Sequence, residues 1–178
     1  MRIFIGIKFP DCLEAILKIQ EELRGLDPKA NYTKKDNIHL TLAFLGELND
    51  WQVARAKQIL KGIEHPEFSA KIVRASKLRD MAVLEVAPEP LLLSLQSKVE
   101  ECLRSAGFAL DRRRFYPHIT LSRKTKAQVS GSFSIKSTVQ EIVLFSSERN
   151  EKGLIYRPLY IKKLEAKNNR RGKENEGF

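Results

Sequence analysis

Two short segments hold the residues best suited to chemistry: Asn37-Ile38-His39-Leu40-Thr41-Leu42 and Tyr116-Pro117-His118-Ile119-Thr120-Leu121. Each reads His-apolar-Thr-Leu. The chain has three histidines and five threonines in 178 residues, so two such coincidences have chance odds of about 0.002, low enough to offset the usual false-positive risk of short motifs. An imidazole titrates near neutral pH, so one ring can wait as a base while a second waits as an acid. On opposite sides of a phosphorus, the base takes a proton from water and the acid gives one to the departing oxygen. Two threonine hydroxyls can donate hydrogen bonds to the non-bridging oxygens. A strained cyclic phosphate, with its defined leaving oxygen, suits such a pair and asks for no metal or other cofactor.

The elements around the motifs must bring them together. Side chains alternate along a strand, so His39 and Thr41 are expected on one face and Leu40, Leu42 and Phe44 on the other. His118 and Thr120 face away from Ile119 and Leu121 by the same rule. Strands are predicted over 1–9, 38–45, 67–76, 81–87 and 118–123, with two or three more within 132–164. Amphipathic helices are predicted over 11–24, with Asp11 as N-cap, over 50–63 and over 91–106. This order predicts an α+β fold. It is expected to be bilobal, two pseudo-symmetric halves with mainly antiparallel sheets, helices outside and both His/Thr faces on a central groove. A single domain of two intertwined lobes is expected over 1–165, with a mobile basic tail over 166–178.

Composition narrows the classes. The formal charge is +10 and apolar residues make up 42%, enough for a core and against a disordered chain. No apolar run approaches the ~18 residues of a membrane span, and the opening MRIFIGIKFP alternates like a strand and not like a signal peptide. A cytoplasmic monomer without membrane attachment is expected. Cys12 and Cys102 make no disulfide framework, and the histidines show no metal-ligand grouping. Between 102 and 126, Arg104, Arg112, Arg113, Arg114, Arg123, Lys124 and Lys126 face only Asp111, a concentration of charge that favours RNA. Arg112–Arg114 followed by Phe115-Tyr116 joins phosphate-pairing to base-stacking side chains. His65 is expected at the surface or as a cap, Trp51 as a packing anchor and Glu47 at a helix entry; Tyr32 and Tyr156 could border the groove.

MRIFIGIKFP, NIHLTLAFLGEL, FYPHITLSR and the closing Gly153, Tyr156 and Pro158-Leu159 resemble the LigT-like branch of the two-histidine (2H) phosphoesterases, over about residues 1–164. The resemblance implies an RNA 2′,3′-cyclic phosphodiesterase that opens cyclic ends to 2′-phosphomonoesters. It implies His39 as proton donor to the 3′ oxygen, His118 as proton acceptor from water, and Thr41 and Thr120 as phosphate ligands. The partner would be RNA with a 2′,3′-cyclic phosphate terminus, tRNA halves or nucleotides included, and the reaction run backwards is 2′-5′ RNA ligation. Relatives often carry a basic residue two places after the first threonine; here Ala43 stands there, so one phosphate-side charge is expected to be missing. Arg123 follows the second motif as in many relatives. Strict alternation aims it away from His118, leaving either a bulge that re-aims it at phosphate or a structural ion pair. An RNA-binding module that recognises phosphate ends without turnover is the competing expectation.

Overall fold

The computed structural model describes residues 1–166; the tail expected beyond Ala166 lies outside the described residues. In chain order the elements are β1 (Arg2–Ile7), α1 (Leu13–Leu26), β2 (Asn31–Tyr32), β3 (Leu40–Glu47), α2 (Asp50–Lys61), β4 (Phe68–Leu78), β5 (Met81–Val86), α3 (Pro90–Ser105), β6 (His118–Arg123), β7 (Gly131–Val139), β8 (Glu141–Asn150) and β9 (Gly153–Lys163). The sheet runs β7-β4-β5-β6-β3-β1-β8-β9, with β2 added to β6. Every pairing between named strands is antiparallel. The two motif strands are central, each half adding three strands outward from them. The expected α+β architecture of two pseudo-symmetric halves is therefore the one observed.

One core lies between sheet and helices. Ile3, Ile5 and Ile7 of β1 join Leu40 and Leu42, Leu84, Ile119 and Leu121 from the neighbouring strands. Ile16 and Leu23 of α1, Ala56 and Leu60 of α2, and Leu92, Leu95, Val99 and Leu103 of α3 close over them, as their helical spacing requires. A small second cluster of Phe4, Val143 and Phe145, with Tyr156 against it, covers the other side of β1. Within the sheet the two motif strands, β3 and β6, pair at a single position, Leu40 with Ile119.

Matched bulges interrupt both motif strands. Ile5 pairs with Ala43 and Gly6 with Thr41, so Leu42 is skipped. Ala82 pairs with Ser122 and Val83 with Thr120, so Leu121 is skipped. An extra residue reverses the alternation beyond it. Ala43 and Ser122 are therefore buried, and Phe44, expected in the core, is 55% exposed against Phe4 at 5.8 Å between ring centroids. Position 43 consequently faces the core beside Ile5, and its lack of charge removes nothing from the groove.

Other expectations are corrected by local hydrogen bonding and packing. Asp11 does not cap α1; its carboxylate accepts from the Thr138 N–H, and the helix starts at Leu13 after a 3-10 turn. Asn49 and Gln52 form a reciprocal capping box on α2, while Glu47 pairs with the terminal amine. His65 is buried, its Nδ1 on the Pro66 carbonyl and its Nε2 on Ser94 Oγ, both at 2.8 Å. Trp51 is 67% exposed with Arg55 over its ring, so it anchors nothing. Both cysteines are free. Among the described residues, no helix is long and apolar enough to cross a membrane.

Gly6 shows how closely β1 supports the first motif. A Cβ there would stand 2.9 Å from the Leu40 carbonyl oxygen and 3.3 Å from His39 Cδ2. Backbone cannot yield as a flexible side chain does, so Gly6→Ala should cost about 1–3 kcal/mol, the range of an overpacked core. Denaturant unfolding measures this, and an unchanged midpoint would contradict it.

Candidate active site

The first motif is held by backbone on one side of the imidazole and by rings on the other. His39 stands one residue ahead of β3. Its Nδ1 meets the Asn37 carbonyl at 2.7 Å and its Nε2 meets Thr41 Oγ1 at 2.9 Å. A carbonyl only accepts, so the proton sits on Nδ1 in the neutral ring and Nε2 accepts from the Thr41 hydroxyl. Asn37 is itself anchored, donating from Nδ2 to the Leu154 carbonyl and accepting from the Tyr156 N–H. Phe4 at 4.9 Å and Tyr156 at 5.1 Å, the latter edge-on, wall in the ring.

The second motif repeats the device. His118 Nδ1 donates to the Tyr116 carbonyl at 2.7 Å, again two residues upstream, which turns Nε2 away from the strand's own backbone. Here one ring lies flat on the imidazole: Tyr116 stacks at 5.2 Å. The Tyr116 hydroxyl donates to Glu85 Oε1 at 2.6 Å, and Arg74 pairs with the other carboxylate oxygen. Glu85 is also the cross-strand partner of His118. Arg74 and Tyr116 together hold the Glu85 carboxyl below its usual range, the guanidinium contributing most.

Register relates the two motifs. Continuing the Leu40–Ile119 pair by one residue each way sets His39 across from Thr120 and Thr41 across from His118. Opposed residues in a regular antiparallel pair stand about 4.5–5.5 Å apart at Cβ and diagonal ones about 7–8 Å. The two histidines are diagonal, a separation that a phosphate hydrogen-bonded at both ends can span. The bulge at Leu121 reverses the alternation before Arg123, which answers the open question of its direction: its position matches that of Phe44 in the other half. Arg123 pairs with no carboxylate among the described residues; its Nη1 lies 3.1 Å from Met81 Sδ. Its charge is felt by both His39 and Tyr156.

His39 is held at about 4, below the usual 6.5, first by burial and then by electrostatic repulsion from Lys8, from its neighbour His118 and from Arg123; the Asn37 hydrogen bond opposes the shift. Burial also raises the Tyr156 hydroxyl. Tyr156 was named from sequence as able to border the groove, and it does; Lys8, Phe44 and Glu85 were not assigned to the site. Lys8 is one residue past β1, with Nζ on the Asp36 carbonyl and over the Phe145 ring. No local pattern marked it. Tyr32 instead donates to the Asp27 carbonyl beneath the Arg24 guanidinium and is directed elsewhere.

A depressed histidine has a defined pH signature. Between about 4 and 6.5 the unfolded chain takes up a proton at His39 that the folded chain refuses, so stability rises with pH across that window. The unaltered protein should lose stability as pH falls from 6.5 toward 4, and His39→Gln should lose less. Urea unfolding across that range measures the difference; parallel curves would contradict it.

Comparisons with known proteins identify the family and the fold. Residues 7–80 match the family model of the LigT like Phosphoesterase. The RNA 2′,3′-cyclic phosphodiesterase of Escherichia coli (strain K12) is 32% identical over 131 residues, covering 70% of this chain and 74% of that protein. The RNA 2′,3′-cyclic phosphodiesterase of Archaeoglobus fulgidus is 26% identical over 176 residues, covering 90% and 99%. Among solved structures, E. coli LigT complexed with 3′-AMP superposes with a TM-score of 0.77 at 27% identity, covering 92% of this chain and 97% of that one. The chain belongs to the LigT-like phosphoesterase family.

Proposed function

We propose that the protein is an RNA 2′,3′-cyclic phosphodiesterase that opens terminal cyclic phosphates to 2′-phosphomonoesters by acid–base catalysis between His39 and His118. The observation that carries this reading is the repeated orientation of the two rings, each with Nδ1 on the carbonyl two residues upstream at 2.7 Å. That arrangement keeps both Nε2 atoms off the backbone; Thr41 Oγ1, which meets His39 Nε2 in the free protein, turns to the phosphate when substrate binds. The activity for which the E. coli and A. fulgidus relatives are named supports it, as does the nucleotide in the E. coli LigT complex.

Water attacks phosphorus and its proton passes to His118 Nε2. The P–O3′ bond breaks opposite the new P–O bond, and O3′ takes a proton from His39 Nε2. Thr41 and Thr120 donate to the non-bridging oxygens, and Arg123 adds its guanidinium, whose fork suits phosphate. The donor role of His39 follows from family resemblance and requires a proton that its free state refuses at neutral pH. Bound phosphate supplies the condition for uptake: it offsets Lys8 and Arg123, standing charges that hold His39 down. Protonation of His39 is thereby coupled to substrate binding. With a 5′-hydroxyl in place of water, the same steps in the same direction make a 2′-5′ linkage, and run backwards they cleave it.

Adenosine 2′,3′-cyclic phosphate tests the reading. His39→Ala and His118→Ala should each lower turnover by roughly 10²–10⁴-fold, the range for a lost acid or base, with the fold retained. Phosphorus NMR should show a single 2′-monoester product. Full activity in either variant would contradict the scheme; tight, salt-sensitive RNA binding without product would favour the RNA-binding module.

A further inference from the structure

Beside His118 the fold leaves a cavity of about 400 Å³ that the hydrolysis scheme does not use. Val73 and Val86 form its floor, Pro88, Phe115 and Tyr116 add flat apolar walls, and Arg114 stands at its edge. Its size falls in the ordinary range for organic ligands, roughly 300–1,000 Å³. Tyr116 belongs to both places: it lines the cavity and its ring stacks on His118 at 5.2 Å. The cavity therefore begins one ring away from the imidazole assigned to the attacking oxygen.

In-line displacement decides which part of a substrate can reach it. The attacking and leaving oxygens lie on opposite sides of phosphorus. The nucleoside that carries the cyclic phosphate hangs from the leaving oxygen, and so belongs on the His39 side, with Phe44 and Tyr156. Whatever extends past His118 must come attached to the attacker. Water has nothing to extend; a nucleoside attacking through its 5′-hydroxyl has a ribose and a base.

We propose that this cavity is the subsite for an acceptor nucleoside whose 5′-hydroxyl takes the place of water, the base lying against Phe115 and Tyr116 and the next phosphate of an acceptor strand meeting Arg114. Aromatic rings give stacking without sequence preference. The cation is unengaged: Arg113 pairs with Asp111, whereas Arg114 has no ion pair among the described residues. The other two charged groups of the lining, Glu85 and Arg74, neutralise each other, so Arg114 is the lining's unpaired charge among the described residues. The inference rests on the assignment of His118 as base in the hydrolysis proposed above. In the joining direction the 5′-hydroxyl proton goes to His118, P–O5′ forms, P–O3′ breaks and O3′ takes the His39 proton. In the cleaving direction the 3′-hydroxyl gives its proton to His39, attacks phosphorus and displaces O5′, which takes a proton from His118.

The test compares two probes on the whole protein: cleavage of adenylyl-(2′→5′)-adenosine, which needs the cavity, and hydrolysis of adenosine 2′,3′-cyclic phosphate, which does not. Val73→Trp fills the cavity from a half-exposed strand position, and Arg114→Glu reverses the charge at its edge. For Val73→Trp the ratio of kcat/KM values, dinucleotide over cyclic mononucleotide, should fall about tenfold. With an acceptor strand bearing a 5′-hydroxyl, Arg114→Glu should lower 2′-5′ joining by a similar factor relative to hydrolysis. An unchanged ratio in Val73→Trp would overturn the subsite. So would a raised KM for the cyclic mononucleotide matching the loss on the dinucleotide, which would place the terminal nucleoside there. An unaltered protein that hydrolyses the cyclic phosphate but neither cleaves nor makes the 2′-5′ linkage overturns the inference alone. Absence of hydrolysis removes the functional reading beneath it.

Discussion

The pairing of Leu40 with Ile119 is the constraint on which the site depends. Antiparallel register turns that one contact into a four-cornered arrangement in which each histidine faces the other half's threonine. The side chains of the pair are fully buried, so neither strand can slip by one residue without sending an imidazole into the core and a leucine or isoleucine into the groove. The hydrophobic pattern thus protects the polar one. Gly6, with no room for a methyl group, adds to the same control from the next strand.

Pseudo-symmetry supplies equal geometry but unequal chemistry. Both rings give Nδ1 to a carbonyl two residues back, both threonines precede a bulge, and both bulges bring a later residue onto the groove. The surroundings then diverge. His39 sits among Phe4, Phe145 and Tyr156, where burial, with Lys8 and Arg123 nearby, keeps it uncharged. His118 has a tyrosine whose hydroxyl leans on Glu85, a carboxylate already held by Arg74. The residue reaching the groove after the bulge is an aromatic in one half, Phe44, and a cation in the other, Arg123. A symmetric frame with asymmetric lining is what two different proton transfers at one phosphorus require, since acid and base roles need different environments.

Much of this architecture could be read from the residues. The motif strands, the three helices and the mixed α/β order came from periodicity and Gly or Pro punctuation, and the His/Thr repeat marked the candidate site. What escaped is equally specific. Period-two alternation assigned Phe44 to the core and left Arg123 undecided because a bulge carries no signature in Leu42 or Leu121, which read as ordinary core residues. Asp11 failed as a cap because Thr138, far along the chain, claimed its carboxylate. His65 was misplaced because its partner Ser94 arrives with another helix. Lys8 and Glu85 reach the site only through strand pairing, which no local window contains, and the same pairing decides for Tyr156 over Tyr32.

The central claim is that one phosphorus is served by two imidazoles. A crystal structure of the protein with adenosine 2′-phosphate tests it most directly. The account predicts that Nε2 of His39 and Nε2 of His118 each lie within hydrogen-bond distance, about 2.7–3.2 Å, of oxygens on the same phosphorus, from opposite sides. A phosphate held by one histidine alone, or bound elsewhere on the sheet, would contradict it.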